Sequence, residues 1–187
     1  MGSMLTVEHL PLSGAAEIHC SPIKDERGWF ARYFCQETLS EINHGRPIQQ
    51  VNSSFTKQRG TIRGLHFQNP PFAEDKIVRC ILGSVYDVML DLRWNSPTLG
   101  RWHGVVLDAE KMNMVYIPRG FAHGLQTLED DCQVLYLHTE FHAPHSERGF
   151  RYDSPFLNIP WPLDVTHLSD RDKTLPLFES SFEGIKI

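Results

Sequence analysis

KIVRCILGSVYDVMLDLR, residues 76–93, holds two apolar runs divided by Gly83-Ser84. A two-residue Gly-X connection between strand-like runs is a hairpin signal, so the stretch predicts Lys76–Leu82 and Val85–Arg93 as an antiparallel pair. In the second run Tyr86, Val88, Leu90 and Leu92 share one face, and Val85, Asp87, Met89 and Asp91 share the other. Two acids on one strand face need solvent, a cation or hydrogen-bond donors, because an unpaired carboxylate is costly to bury.

Outward from this stretch the same texture continues. Strands are predicted over Gln50–Lys57, Thr61–Phe67, Trp102–Leu107, Asn113–Ile117, Ala122–Leu128 and Cys132–Phe141, with turn residues at Asn95–Gly100, Pro118–Gly120 and Glu129–Asp131 between them. Many short strands at turn-separated intervals indicate an all-β sandwich or barrel. Helix is confined to short pieces: Thr38–Asn43, and Asp170–Lys173 with Ser169 placed to cap it. The Pro-rich tail after Pro160 wraps without a composition of its own, and there are no repeats, so residues 4–187 read as a single domain. Met1-Gly2-Ser3, ahead of Met4, reads as a cloning remnant.

The 187-residue chain is 41% hydrophobic and 22% charged, ordinary for a soluble globular protein long enough to bury a core. A net charge of −5 without any Lys/Arg block argues against a nucleic-acid partner. No apolar run reaches the roughly 20 residues that span a bilayer, and no signal-peptide pattern opens the chain, so a cytoplasmic protein is expected. The four cysteines (Cys20, Cys35, Cys80, Cys132) lie far apart with no CxxC pair, which fits reduced, buried thiols better than a zinc site or a disulfide framework.

The histidines carry the chemistry. A β-barrel with histidines on inward strands suggests a cupin-type double-stranded β-helix, or jelly roll. The usual metal site of that architecture takes an H-x-H pair off one strand, a glutamate, and a histidine from a later P-x-G-x-x-H segment. The later segment is present as Pro118-Arg-Gly-Phe-Ala-His123, but Gly60-Thr-Ile-Arg-Gly-Leu-His66 is followed by Gln68 where the second imidazole would stand. Carboxamide is a poor replacement for imidazole at a transition metal. His66 is therefore a proton carrier or a buried structural side chain, and the residue types alone leave that choice open.

The ordered set Asp25-x-Arg27-Gly28-x-Phe30, Gln50-x-Asn52-x-Ser54, Arg63-Gly-Leu-His66-Phe-Gln68, Lys76-x-Val78, Gly83-x-Val85-x-Asp87-Val, Asp91-Leu-Arg93, Ser96-Pro-Thr-x-Gly100-x-Trp102, Ile117-Pro-x-Gly-Phe-Ala-His-Gly124, Tyr136, Trp161-Pro and Leu168-Ser-Asp170-Arg-Asp172 resembles the dTDP-4-dehydrorhamnose 3,5-epimerase family, the metal-free cupin epimerases of nucleotide-linked 4-keto sugars. The resemblance runs from about Leu5 to Phe178. It implies that a base removes the acidic C–H at C3 or C5, that the enolate charge rests on O4, and that an acid returns a proton to the opposite face.

By the same resemblance His66 is the base, Asp170 the carboxylate that orients it, Lys76 the cation beside O4 and Tyr136 the acid. Acid–base help of this kind accelerates a reaction by roughly 10²–10⁴-fold. Arg63 and His123 are implied to contact sugar and phosphate, a role that suits a planar guanidinium. Gln50 and Asn52 supply neutral hydrogen bonds. Asp87 is placed to pair with Lys76 or His66. Arg27 and Phe30 reach the nucleotide of a neighbouring subunit, implying a homodimer, and Arg32, His142 and Glu147 complete the substrate-binding set. No cofactor is implied.

Two positions depart from the family pattern. Phe30-Ala31-Arg32 has arginine where Phe-x-Glu is usual, and His142 replaces a tyrosine six residues beyond Tyr136. Both belong to nucleotide recognition, so CDP or GDP carriers, a modified hexose or heptose, and epimerisation at C3 or C5 alone stand as alternatives. A metal-dependent cupin oxygenase or isomerase using His66, His123 and Glu74, and a non-catalytic carbohydrate-binding cupin, are the competing classes.

Overall fold

A computed structural model describes residues 4–187, so the predicted remnant Met1–Ser3 lies outside the described residues. The strands run in the order β1 (Leu5–His9), β2 (Ala16–Cys20), β3 (Ile23–Asp25), β4 (Gly28–Phe30), β5 (Gln50–Thr56), β6 (Ile62–Gln68), β7 (Lys76–Leu82), β8 (Ser84–Asp91), β9 (Trp102–Asp108), β10 (Asn113–Ile117), β11 (Phe121–Thr127), β12 (Cys132–His138) and β13 (Glu147–Gly149). Helix α1 (Gln36–Asn43) precedes β5, and α2 (Asp170–Lys173) lies near the C-terminus. Each predicted strand is present within a few residues of its expected ends. The last of them stops at His138, where the Thr139 hydroxyl accepts from the Asp75 amide at 2.8 Å and the Thr139 amide donates to the Asp75 carbonyl.

The pairing of the opening stretch differs from the sequence expectation. β7 lies between β10 and β12 in a six-stranded sheet (β1-β2-β10-β7-β12-β5), whereas β8 lies between β11 and β9 in a five-stranded sheet (β13-β6-β11-β8-β9). Gly83 thus carries the chain from one sheet to the other instead of closing a hairpin. It has φ +73°, and a Cβ there would stand 2.9 Å from Cys132 Sγ. A left-handed conformation at a crowded crossing suits glycine alone.

Both sheets are antiparallel throughout, and they face each other as a jelly roll. Val78, Cys80, Val115, Ile117 and Val134 of one sheet meet Val85, Met89, Leu107, Phe121 and Leu125 of the other in the inner core. α1 lays Leu39 and Ile42 over the outside of the six-stranded sheet, against Ile18, Ile77 and Tyr116. The C-terminal wrap covers the outside of the five-stranded sheet, packing Phe150, Leu157, Ile159 and Phe178 on Leu65, Val88 and Leu90. Both faces of β8 are consequently buried, and its alternation separates two cores rather than core from solvent. All four cysteines are unpaired. Among the described residues no helix is long and apolar enough to cross a membrane.

On β8, Asp91 meets the demand set by its burial. Asp91 is fully buried and accepts from the Arg93 amide and guanidinium, Ser96 Oγ and Thr98 Oγ1 at 2.5–3.0 Å. Burial pushes its carboxyl up, but the Arg93, Ser96 and Thr98 donors outweigh that and hold it below the usual carboxylate range. Its contribution to stability is therefore complete above about pH 4, the ordinary carboxylate value, and is lost as pH falls through the depressed one. Asp91→Ala is expected to cost about 3–5 kcal/mol in urea unfolding at neutral pH, because it strands a partly buried guanidinium, and to flatten the acid side of the stability curve. Asp153→Ala, removing an exposed pair with Arg151, is expected to cost under about 1 kcal/mol.

Candidate active site

The two sheets part at one end around a cavity of about 440 Å³. β5 contributes Gln50 and Asn52, β6 contributes Arg63 and His66, β7 contributes Lys76, β11 contributes His123, and β12 contributes Tyr136 and His138. His142, Glu147, Arg171 and Asp172 complete the wall from the later loops, β13 and α2.

His66 stands on β6 with its ring 26% exposed, and its Nε2 lies 2.6 Å from Asp172 Oδ1. This corrects the expectation for Asp170, whose side chain is fully exposed and bonds Lys173 Nζ at 2.9 Å. Two residues along a helix turn a side chain by roughly 200°, so acids at the first and third positions of α2 point opposite ways. Asp172 faces inward, 3% exposed, and its other oxygen accepts from the Gly64 amide at 3.3 Å. Ser169 caps α2 as predicted by accepting from the Asp172 amide at 3.0 Å. Burial pushes the Asp172 carboxyl up, but the His66 ring beside it outweighs this and holds it below the usual range. Gly64 makes the approach possible: at φ +108°, a Cβ would stand 2.5 Å from the His123 carbonyl oxygen.

Opposite His66, on the other sheet, Tyr136 has its hydroxyl 3.0 Å from Ser54 Oγ. Burial, only partly offset by Ser54, pushes the phenol up to about 12, so it keeps its proton at neutral pH. Lys76 and Glu74 form a buried ion pair, Nζ to Oε1 3.1 Å, and the second Glu74 oxygen lies 2.8 Å from His138 Nδ1. Burial pushes the Glu74 carboxyl up, but Lys76 and His138 outweigh it and keep the group below its ordinary value.

Asp87 does not pair with Lys76 or His66. It is wholly buried and lies 2.7 Å from His123 Nε2, behind the cavity wall, because strand alternation aims it at its cross-strand neighbourhood on β11. It supports His123 and lies clear of the cavity. Gln68 spends its carboxamide on structure: Nε2 donates to the Phe72 and Phe141 carbonyls, and Oε1 accepts from the Ala143 amide. Nε2 of His66 is engaged by Asp172, Nε2 of His123 by Asp87, and both Glu74 oxygens by Lys76 and His138. Arg63 is steadied by Thr56 Oγ1 and the Phe55 carbonyl.

At the mouth, Glu147 joins Arg171 at 2.9 Å and His142 at 3.4 Å. Arg27, Phe30 and Arg32 are not brought to this cavity. Arg27 bonds Asp25 on the exposed β3–β4 hairpin, where Trp29 and Phe30 are 55% and 63% exposed, and Arg32 is exposed beyond it. Asp172, Glu74, His138 and Arg171 are site residues that the sequence reading did not single out for these positions. Tyr136-x-His138 alternation signals one shared strand face, and the spacing of Ser169 to Asp172 marks a capped turn. Nothing periodic marks Glu74.

Residues 9–180 match the family model for dTDP-4-dehydrorhamnose 3,5-epimerase. The chain is 42% identical over 149 residues to the dTDP-4-dehydrorhamnose 3,5-epimerase of Shigella flexneri, covering 79% of this chain and 82% of that protein. The Bacillus anthracis dTDP-4-dehydrorhamnose 3,5-epimerase, solved with TDP and PPi bound, superposes with a TM-score of 0.89 at 34% identity, covering 93% of this chain and 99% of that one. A 3'-monoepimerase from Streptomyces bikiniensis, solved with dTDP-quinovose, gives a TM-score of 0.82 at 35% identity over 90% of this chain and 85% of that one. With the jelly roll, the cavity and this agreement along nearly its whole length, the chain belongs to the dTDP-4-dehydrorhamnose 3,5-epimerase family of sugar-nucleotide isomerases.

Proposed function

We propose that the protein inverts C3 and C5 of a dTDP-linked 4-keto-6-deoxyhexose in deoxysugar biosynthesis. One observation carries the chemistry: His66 and Tyr136 stand on different sheets and line the same cavity. A proton taken by a group on one wall and returned from the other changes the configuration of the carbon between them.

The 4-keto group acidifies the neighbouring C–H bonds. Asp172 on Nε2 fixes the proton there, so Nδ1 of His66 is the nitrogen left to accept the substrate proton, and the carboxylate then stabilises the imidazolium. Charge develops on O4, where Lys76 offers an ammonium held in a buried site. A stabiliser that acts on developing charge lowers the barrier more than it strengthens ketone binding. Tyr136 reprotonates from the opposite face, a phenol being far more acidic than the C–H bond it restores. Arg63 and His123 contact the sugar and phosphates, with Gln50 and Asn52 hydrogen-bonding to the ring.

The dTDP carrier is favoured by the relatives' substrates. A C3-only reaction is the second reading, because the 3'-monoepimerase matches this chain in sequence as well as the 3,5-epimerase structure does, at 35% against 34% identity. The exposed β3–β4 hairpin supports a homodimer in which Arg27 and Phe30 reach the partner's nucleotide. Unpaired cysteines suit a reducing compartment, and we place the protein in the cytoplasm.

Incubation with a dTDP-linked 4-keto-6-deoxyhexose in deuterated water, followed by NMR, tests the reaction. Deuterium is expected at C3 and C5, and none at either carbon would rule the reaction out. His66→Ala is expected to abolish exchange at both carbons, whereas Tyr136→Phe slows inversion and leaves residual exchange. Equal loss in both would argue against separate base and acid. Asp172→Asn is expected to lower the exchange rate by about 10²–10⁴-fold, while Asp170→Asn leaves it unchanged, as befits an exposed acid. For the assembly, sedimentation is expected to give a dimer, and Arg27→Ala to weaken dTDP binding without changing that mass; a monomer binding dTDP normally would contradict it.

A further inference from the structure

We propose that Glu74 is the positioning residue of the site, holding Lys76 toward the reacting oxygen and, with Asn52 on the other ring nitrogen, setting the tautomer of His138. The proposal rests on the reading of Lys76 as the cation beside O4.

The registers already align the participants. Gln50, His138 and Lys76 lie directly opposite one another on three adjacent strands, β5, β12 and β7. A polar chain runs along this wall. The His142 amide donates to Gln50 Oε1 at 3.1 Å, and Gln50 Nε2 donates to Asn52 Oδ1 at 3.1 Å. Asn52 Nδ2 then lies 3.4 Å from His138 Nε2, and His138 Nδ1 lies 2.8 Å from Glu74 Oε2. The chain closes with Glu74 Oε1 at 3.1 Å from Lys76 Nζ.

Its direction is fixed by chemistry. An amide nitrogen only donates, so His138 Nε2 must accept and its proton resides on Nδ1, where a carboxylate accepts it. Glu74 is the one member of the chain that accepts at both ends. Its side chain is 8% exposed and that of Lys76 11%, so neither is steadied by bulk water. Among the described residues no other carboxylate pairs with Lys76. Fixed placement of a donor, more than attraction for substrate, governs the chemical step.

The test compares Glu74→Ala and Glu74→Gln with wild type in the deuterium-exchange assay, alongside dTDP binding and the ¹⁵N spectrum of His138. Glu74→Ala is expected to lower kcat by about 10²-fold, the scale of a misplaced reacting group, with KM and dTDP affinity little changed. The Nδ1–H signature of His138 is expected to disappear with it. Glu74→Gln keeps an acceptor and the side-chain size, so part of the rate and the Nδ1–H signature are expected to return. Wild-type turnover in both variants overturns the proposal, as does an unchanged His138 spectrum in Glu74→Ala. Parallel loss of kcat and dTDP affinity in both variants marks a structural role only and also overturns it. A wild-type protein that exchanges no substrate proton instead overturns the reading of the reaction, and Glu74's part in it.

Discussion

A carboxylate withdrawn from water has to be met by a cation or by several donors, and this requirement organises the molecule. Asp91 collects Arg93, Ser96 and Thr98 at one end of β8. Four residues earlier on the same face Asp87 meets His123. Asp75, just before β7, is held by the Arg46 guanidinium, and its neighbour Glu74 by Lys76 and His138. Asp172 meets His66. The first and third of these pairings tie loops to the barrel, and each of the others holds a residue that lines the cavity. Fold and site use the same device, so a charge-removing substitution has a structural or a chemical consequence according to which pair it breaks.

The division of labour between sheets follows from the crossing at Gly83. Because consecutive strands β7 and β8 enter different sheets, residues close in sequence come to stand on opposite walls. Lys76 and Tyr136 belong to the six-stranded sheet, His66 and His123 to the five-stranded one. Configuration at a ring carbon is inverted only if protons leave and return on different faces, and a cavity between two sheets supplies two faces. The C-terminal wrap serves both fold and site, since it buries the outer face of β8 and delivers α2, and with it Asp172, beneath His66.

Much of this was legible in the sequence, for reasons that also mark its limits. Strand alternation and turn residues are local signals, and they locate the strands within a few residues. Pairing is not local: β7 finds its neighbours β10 and β12 more than thirty residues away, and a Gly-X turn looks the same in a hairpin as in a sheet-to-sheet crossing. Residues 91–98 were visible as a motif, yet only the structure shows them as a carboxylate cage. The set His66, Lys76, Tyr136 and Arg63 was reached through family resemblance and converges on one cavity. Asp170 was mistaken for Asp172 because Ser-Asp-Arg-Asp holds two acids whose directions depend on the phase of a single helical turn. Glu74 was read only as a ligand in the metal-dependent alternative, because its role here depends on His138, which lies sixty-four residues away and meets it only through the β7–β12 pairing.

The central claim is geometric: a base and an acid address opposite faces of one sugar ring while a cation holds its oxygen. A crystal structure with a dTDP-linked hexose bound tests this most directly. The account predicts His66 against one face of the ring at C3 or C5, Tyr136 against the other, and O4 beside the Lys76 ammonium. A ring with both side chains on one face, or with O4 turned away from Lys76, would contradict it.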